Sequence, residues 1–548
     1  MPPRVMIIGL DGATFEFVRP LAEAGRLPTL ASLMARGASG ELRSTFPAQT
    51  AAAWTTCITG QRPGTHGVFY FHELDPTSYS GRGRLTTSES KRGRTIFDVA
   101  GAQGMRVASM HVPATFPTWP VNGVMVSGYP TPMGSPACAY PCDLEARVSR
   151  LYELTKSQAP ERRLRAWLDH IELLTDICEE TLVREQPDLF MTVHQESDLA
   201  HHFFWRYYDP RCPAYTARDA QRYGDYIAQI YMALDRSVAR LLMHAGPDTT
   251  IFVVSDHGGT LAAPNAFHVN AWLASEGYLQ LSESAPSLLQ RAYAVRRFIP
   301  ASLRARVIGF IQRKEMGGVL DQLNEVYSGL AQVDRGRTQA YRFIWTAQVE
   351  GIVLNVAGRQ PQGIVQPGAE YEALRDQIIA RLRDLRTPDT NEPAVAEIYR
   401  REEICTSEYM DHMPDIIVRL HPLYRMGGNV RPPIFSRLTA AQVAGSWSGW
   451  HDDDGILIAA GPGIPAGATV AGASILNMAP TFLRALGLGT PAWMEGVVQE
   501  GIFVREAELA PVVEVAAVGA GRSDGEGYTL SAREEESIKE RLSNLGYL

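Results

Sequence analysis

The chain has 548 residues, 45% hydrophobic and 20% charged, a folded globular composition that excludes low-complexity and fibrous classes. Net charge is −8, the isoelectric point is near 6.0 and there is no basic run, which speaks against a nucleic acid polymer as partner. Six cysteines are scattered, only Cys138 and Cys142 lying close together. Neither a disulfide scaffold nor a zinc knuckle fits that spacing, and free thiols in a reducing compartment are expected.

Short apolar runs alternate with amphipathic stretches, the pattern of an α/β protein with a mostly parallel sheet. Arg4–Leu10 reads as the first strand. It is too short for a secretory leader, and no run approaches the roughly 20 apolar residues that span a bilayer. A cytoplasmic protein without a membrane span is therefore expected. A helix over Thr95–Gly101 precedes strands at Arg106–His111 and Val124–Ser127. Strands follow at Asp188–Val193, Thr250–Ser255, Gly351–Val356, Ile416–Leu420 and Gly455–Ala460. Helical patterns cover Arg163–Arg184, Asp219–His244 and Tyr371–Leu385. The stretch 282–342 is Arg-rich and helical in pattern, with no obvious strand, and reads as a cap inserted between core segments 1–281 and 343–508. Residues 509–548 read as a small-residue linker and a terminal helix that starts at the capping box Ser531-Ala-Arg-Glu534.

Three of these strands end in residues that bind metals. The first delivers Asp11, the strand at 188–193 leads to Asp198 and His202, and the strand at 250–255 delivers Asp256 and His257. In open parallel sheets, ligands bind beyond the carboxyl ends of the strands, so these clusters converge. Asp198 and His202 are four apart on one helix face, able to hold one cation by an oxygen and a nitrogen. Taken singly, an Asp cap or a strand-end turn explains each cluster equally well.

Thr50 opens a helix after Phe46-Pro-Ala-Gln49, where backbone N–H groups and the helix dipole favour an oxyanion. A plain capping threonine would look the same. His451 stands ahead of a strand rather than after one, and on position alone nothing joins it to the others. His201, His268 and Asn270 lie beside the ligand clusters and are candidate substrate contacts.

Together these motifs resemble the alkaline phosphatase superfamily, in particular its type I phosphodiesterase/nucleotide pyrophosphatase branch. The resemblance is carried by Gly9-Leu-Asp11-Gly, Phe46-Pro-Ala-Gln-Thr50, Gly60-Gln-Arg-Pro-Gly-Thr-His66-Gly, Asp198-x-x-x-His202, Asp256-His257-Gly, and His451 before Gly455-Ile-Leu-Ile-Ala-Ala-Gly. It runs from residue 1 to about 500, and a Glu-rich terminal helix ending in Leu-Gly-Tyr-Leu is common in bacterial members. It implies an α/β/α sandwich with a helical cap insertion and two divalent metal ions, zinc or else manganese. It implies that Asp198, His202 and His451 hold one metal, and that Asp11, Asp256, His257 and the Thr50 oxygen hold the other. It further implies Thr50 as a nucleophile that forms a covalent phospho-threonine, and a small phosphate ester as substrate. No arginine follows Thr50 in Ala51-Ala-Ala53-Trp54, which favours a diester over a dianionic monoester, and Ala53 stands where nucleotide pyrophosphatases of this branch usually carry Asn, which weakens nucleotide specificity. A phosphomonoesterase, a phosphomutase, a phosphonate hydrolase and a silent metal-binding scaffold are the alternatives. The Cys-x-Pro-x-Arg pattern of sulfatases is missing around Cys57.

Overall fold

The computed structural model describes residues 1–153, 159–282, 332–343, 345, 349–503 and 528–545. Two compact units emerge. One contains Met1–His72, Leu85–Ala262 and Thr439–Leu548, and the other Glu73–Arg84 and Ala263–Leu438.

The first unit is built on a 10-stranded sheet. Across its middle run Ala38–Arg43, Asp454–Ala460, Thr250–Val254, Val5–Leu10, Leu189–His194, Val107–Val112 and Gly123–Ser127. The last five are mutually parallel, and Asp454–Ala460 runs antiparallel between its two neighbours. Strand periodicity separates the two faces. Met6 and Ile8, Phe190, Val253 and Ile458 enter one core, whereas Val5 and Ile7, Met191, Phe252 and Leu457 enter the other. Helices Pro28–Arg36, Pro160–Glu185, Glu196–Tyr208 and Tyr226–Leu242 cover the first face. Helices Thr50–Thr59, Ile96–Ala102 and Met478–Ala485 cover the second. The result is the expected α/β/α sandwich with a mostly parallel central sheet.

The stretch read as one helix over Asp219–His244 is two, Ala217–Tyr223 and Tyr226–Leu242, because the chain breaks at Gly224. At the far end, Ala532–Leu545 is helical, with the Ser531–Glu534 capping box formed, and Ile538 and Leu542 pack beside Ala51 and Phe71.

The second unit departs from expectation. Its boundaries, 263 and 438, do not follow the 282–342 insertion read from composition, most of which (283–331) lies outside the described residues, as does the linker at 509–527. The strands read at 351–356 and 416–420 do not extend the large sheet. They belong to a 4-stranded antiparallel sheet in the order Ala340–Phe343, Val349–Leu354, Ile416–Leu420, Val395–Arg400. Its first strand starts inside the stretch where none was expected. A short apolar run looks the same in either kind of sheet, so periodicity could not assign these strands to the right one.

Candidate active site

The three parallel strands deliver their residues to one edge, as their order requires. Asp11, Asp198, Asp256 and His257 are all buried there, with Thr50 at the first turn of helix Thr50–Thr59. His451 reaches the same edge by a route that local sequence does not reveal. Because Asp454–Ala460 is antiparallel to Thr250–Val254, it begins where the latter ends. The preceding strand, Gly449–Asp452, pairs antiparallel with Gly258–Leu261 and sets His451 opposite Gly259. A position ahead of a strand therefore reaches the same edge when that strand runs backwards.

Asp11, Asp256 and the three histidines are each oriented by a further contact. Trp54 Nε1 donates to Asp11 Oδ2 at 2.9 Å, and the Gly12 N–H donates to Asp256 Oδ1 at 3.1 Å. The other oxygens, Asp11 Oδ1 and Asp256 Oδ2, are buried and receive no hydrogen bond. They lie 3.7 and 3.3 Å from His257 Nε2. All three histidines turn Nδ1 to a backbone carbonyl: His202 to Gly449 (3.0 Å), His257 to Gly258 (2.9 Å) and His451 to Ala48 (2.9 Å). Donation by Nδ1–H leaves the Nε2 lone pair facing the site, the arrangement of metal-bound imidazoles. The Nε2 atoms of His202 and His451 are 3.2 Å apart. Two lone pairs at that distance repel unless a cation lies between them.

Donor atoms of Asp198, His202 and His451 lie within 4.8 Å of one another, and so do those of Asp11, Asp198 and His257. Thr50 Oγ1 is 3.3 Å from His257 Nε2. Gly12, with φ +67°, is needed here, since a Cβ would lie 2.9 Å from that of Asp198. Burial drives Asp11 well above the usual carboxylate range, and the nearby Asp256 and Asp198 add to the effect. Burial also raises Asp256. On Asp198 burial acts the same way but is outweighed by His202, His451 and His257, which hold it low. Burial and then His257 keep His451 far below the ordinary imidazole range. Unpaired carboxylate oxygens and imidazole Nε2 atoms turned into the site form a donor set that fits divalent cations.

The remaining candidates differ. His201 is buried, stacks on Phe17 at 5.3 Å and meets Tyr231 Oη through Nε2 at 3.2 Å, a packing position. His268 and Asn270 belong to the second unit. There His268 meets Ser436 Oγ at 2.9 Å, and Asn270 accepts from the Arg342 N–H at 2.8 Å. Sequence reasoning missed Trp54 and also Ser197, whose hydroxyl donates to the Asp11 carbonyl at 2.7 Å. A tryptophan one helical turn after Thr50 was the available signal.

Fold and site together define a phosphoester hydrolase with candidate metal-binding residues at the carboxyl edge of an α/β/α sheet. Residues 5–441 match the type I phosphodiesterase / nucleotide pyrophosphatase family, and the chain belongs to it. His451 lies beyond the matched stretch. Among solved structures, phosphonoacetate hydrolase from Sinorhizobium meliloti 1021, in complex with phosphonoformate, is similar at 15% identity and TM-score 0.51, covering 88% of this chain and 95% of that one. Human ectonucleotide pyrophosphatase/phosphodiesterase 5 is similar at 12% identity and TM-score 0.50, covering 91% and 100%. An inactive form of the murine protein in complex with AMP gives 12% and 0.50, covering 88% and 95%. No curated protein is a significant match. Among the described residues, no helix is long and apolar enough to cross a membrane.

Proposed function

We propose that the chain is a phosphodiesterase of nucleotide pyrophosphatase type, acting on a small phosphate ester through a covalent phospho-threonine on Thr50. The observation that carries this reading is the approach of Thr50 Oγ1 to His257 Nε2, at the start of a helix and beside the two orphaned carboxylate oxygens. Asp198, His202 and His451 would hold one divalent cation, and Asp11, Asp256, His257 and Thr50 a second, with zinc suited to this donor set and manganese next. Such ions supply Lewis-acid charge to the attacking and leaving oxygens.

The residues do the rest. Thr50 Oγ1 gives its proton to solvent water and bonds to phosphorus, and the bond to the leaving oxygen breaks in line, that oxygen taking a proton from solvent water. The first N–H groups of a helix have no partner within it, so those of Thr50–Thr59 would be available to the developing oxyanion. Water then attacks the phospho-threonine and restores the hydroxyl. Ala51, Ala52 and Ala53 are buried and apolar, so this stretch provides no cation for a dianionic monoester. The six cysteines are free, which suits a reducing compartment and a cytoplasmic location.

The test is turnover of a chromogenic phosphodiester and a chromogenic monoester, with and without chelator, by wild type and Thr50→Ala. Diester turnover that chelation and the substitution each abolish supports the proposal. Undiminished turnover by Thr50→Ala overturns the nucleophile, and preference for the monoester overturns the substrate class. Zinc binding without turnover of either ester points to a silent scaffold.

A further inference from the structure

Trp54 occupies an unusual place for a buried aromatic. It lies on helix Thr50–Thr59, four residues after Thr50, so the two side chains leave the same helix face one turn apart. Its indole is fully buried in the sheet face that also takes Val5, Ile7 and Val193. Side chains of the first strand alternate, and this face receives the odd positions. Position 9 on that face is glycine, and the indole fills the vacant space: a Cβ at Gly9 would lie 2.5 Å from Trp54 Cη2. Position 11, next in the same parity, is Asp11, whose Oδ2 accepts from the indole N–H at 2.9 Å.

We infer that Trp54 is a positioning residue that clamps the Thr50 helix to the first strand, so that Asp11 Oδ1 and Thr50 Oγ1 meet at one cation. The inference rests on the metal site of the proposed function. Three parts make the clamp. Gly9 admits the ring, the ring fixes the register of helix against strand, and the N–H fixes one carboxylate oxygen so that the other faces inward. An N–H to carboxylate bond is charge-assisted and about twice as strong as a neutral one, so it can hold a rotamer against rotation. A merely apolar ring in this place would fill the space equally well and leave the carboxylate free to turn.

The experiment is zinc affinity, measured by competition with a chromophoric chelator and independent of hydrolysis, for wild type, Trp54→Phe and a protein carrying benzothienylalanine at position 54. That analogue keeps the bicyclic shape and replaces the N–H by sulfur. Loss of an outer contact of this kind costs roughly 10–100-fold in metal affinity. Both variants should show a loss in that range at one of the two zinc equivalents, with thermal melting of the benzothienylalanine protein in chelator unchanged. Wild-type zinc affinity in the benzothienylalanine protein overturns the inference, as does a lowered melting temperature with unchanged affinity, the mark of a packing role. A wild-type protein that binds no metal at all would instead remove the proposed function on which the clamp rests. Should Trp54→Phe fail to fold, the analogue alone decides.

Discussion

Buried carboxylates occur in both units, and those at the candidate site of the first unit differ in their partners from those of the second. In the second unit Asp415 is fully buried and receives Arg359 Nη1 and Nη2 at 2.7 and 2.5 Å, the Tyr371 hydroxyl at 2.9 Å and the Leu354 N–H at 2.8 Å. Glu350, equally buried, receives Arg342 Nε at 2.9 Å. The chain supplies the counter-charge itself. At the site in the first unit Asp11 and Asp256 are as deeply buried, yet neither forms an ion pair with Arg or Lys among the described residues, and the basic group beside both is His257. Burial without internal compensation is costly for any fold. Persisting at the edge where ligands bind, it marks a place suited to ions from outside, whereas full pairing on both oxygens, as at Asp415, marks a strut.

The same chemical change should therefore do opposite things in the two places. Thr50→Ala and Asp256→Asn should each lower diester turnover by about 10³-fold or more, read by steady-state kinetics. Asp256→Asn should also lose bound metal, read by elemental analysis, while its stability in chelator holds or rises as repulsion with Asp11 is relieved. Asp415→Asn should leave metal content unchanged but destabilise by about 3 kcal/mol in denaturant titration, since the partly buried Arg359 loses its counter-charge. Equal stability losses for the two Asp→Asn variants would erase the contrast. Saturating zinc should protect wild type against unfolding by about 4 kcal/mol for each cation at 1,000 times its Kd, and this protection should be smaller in Asp256→Asn, which keeps only the Asp198, His202 and His451 cation.

Smaller effects appear in the pH dependence. Burial, then Lys91, pushes His66 down to about 3, and burial, then His170, pushes His111 down to about 3. Both rings stay neutral in the folded chain where the unfolded chain would protonate. Their contribution is complete above the ordinary imidazole pKa and is lost as pH falls from about 6.5 towards 3. Glu350 acts the other way: burial lifts it to about 7 despite Arg342. The folded chain holds that proton longer, so its contribution is full at low pH and declines as pH rises from about 4.5 to 7. His66→Gln should flatten the acid limb of stability against pH, and Glu350→Gln the limb between 4.5 and 7. A stability profile unchanged by either would contradict the assigned burial effects.

Much of the site was legible before the fold was. Asp11, Asp256 and His257 sit directly at strand ends, and Asp198 and His202 share a helix face, so local pattern and the rule for parallel sheets brought them together. Thr50 and His451 needed the family resemblance. The reason for His451 is physical: its place depends on a strand that pairs backwards, and strand direction leaves no mark on a seven-residue apolar run. The 4-stranded sheet of the second unit was misplaced for the same reason. Trp54 and Gly9 went unread because each is ordinary alone, and only their contact across 45 residues of sequence gives either a role. His201 shows the converse, where adjacency to His202 suggested the substrate side but the opposite helix face points into packed aromatic rings.

The most direct test is anomalous diffraction at the zinc edge from crystals of the zinc-loaded protein. A two-cation centre predicts two peaks, one enclosed by Asp198, His202 and His451 and one by Asp11, Asp256, His257 and Thr50. A single peak, or none between these side chains, would contradict it.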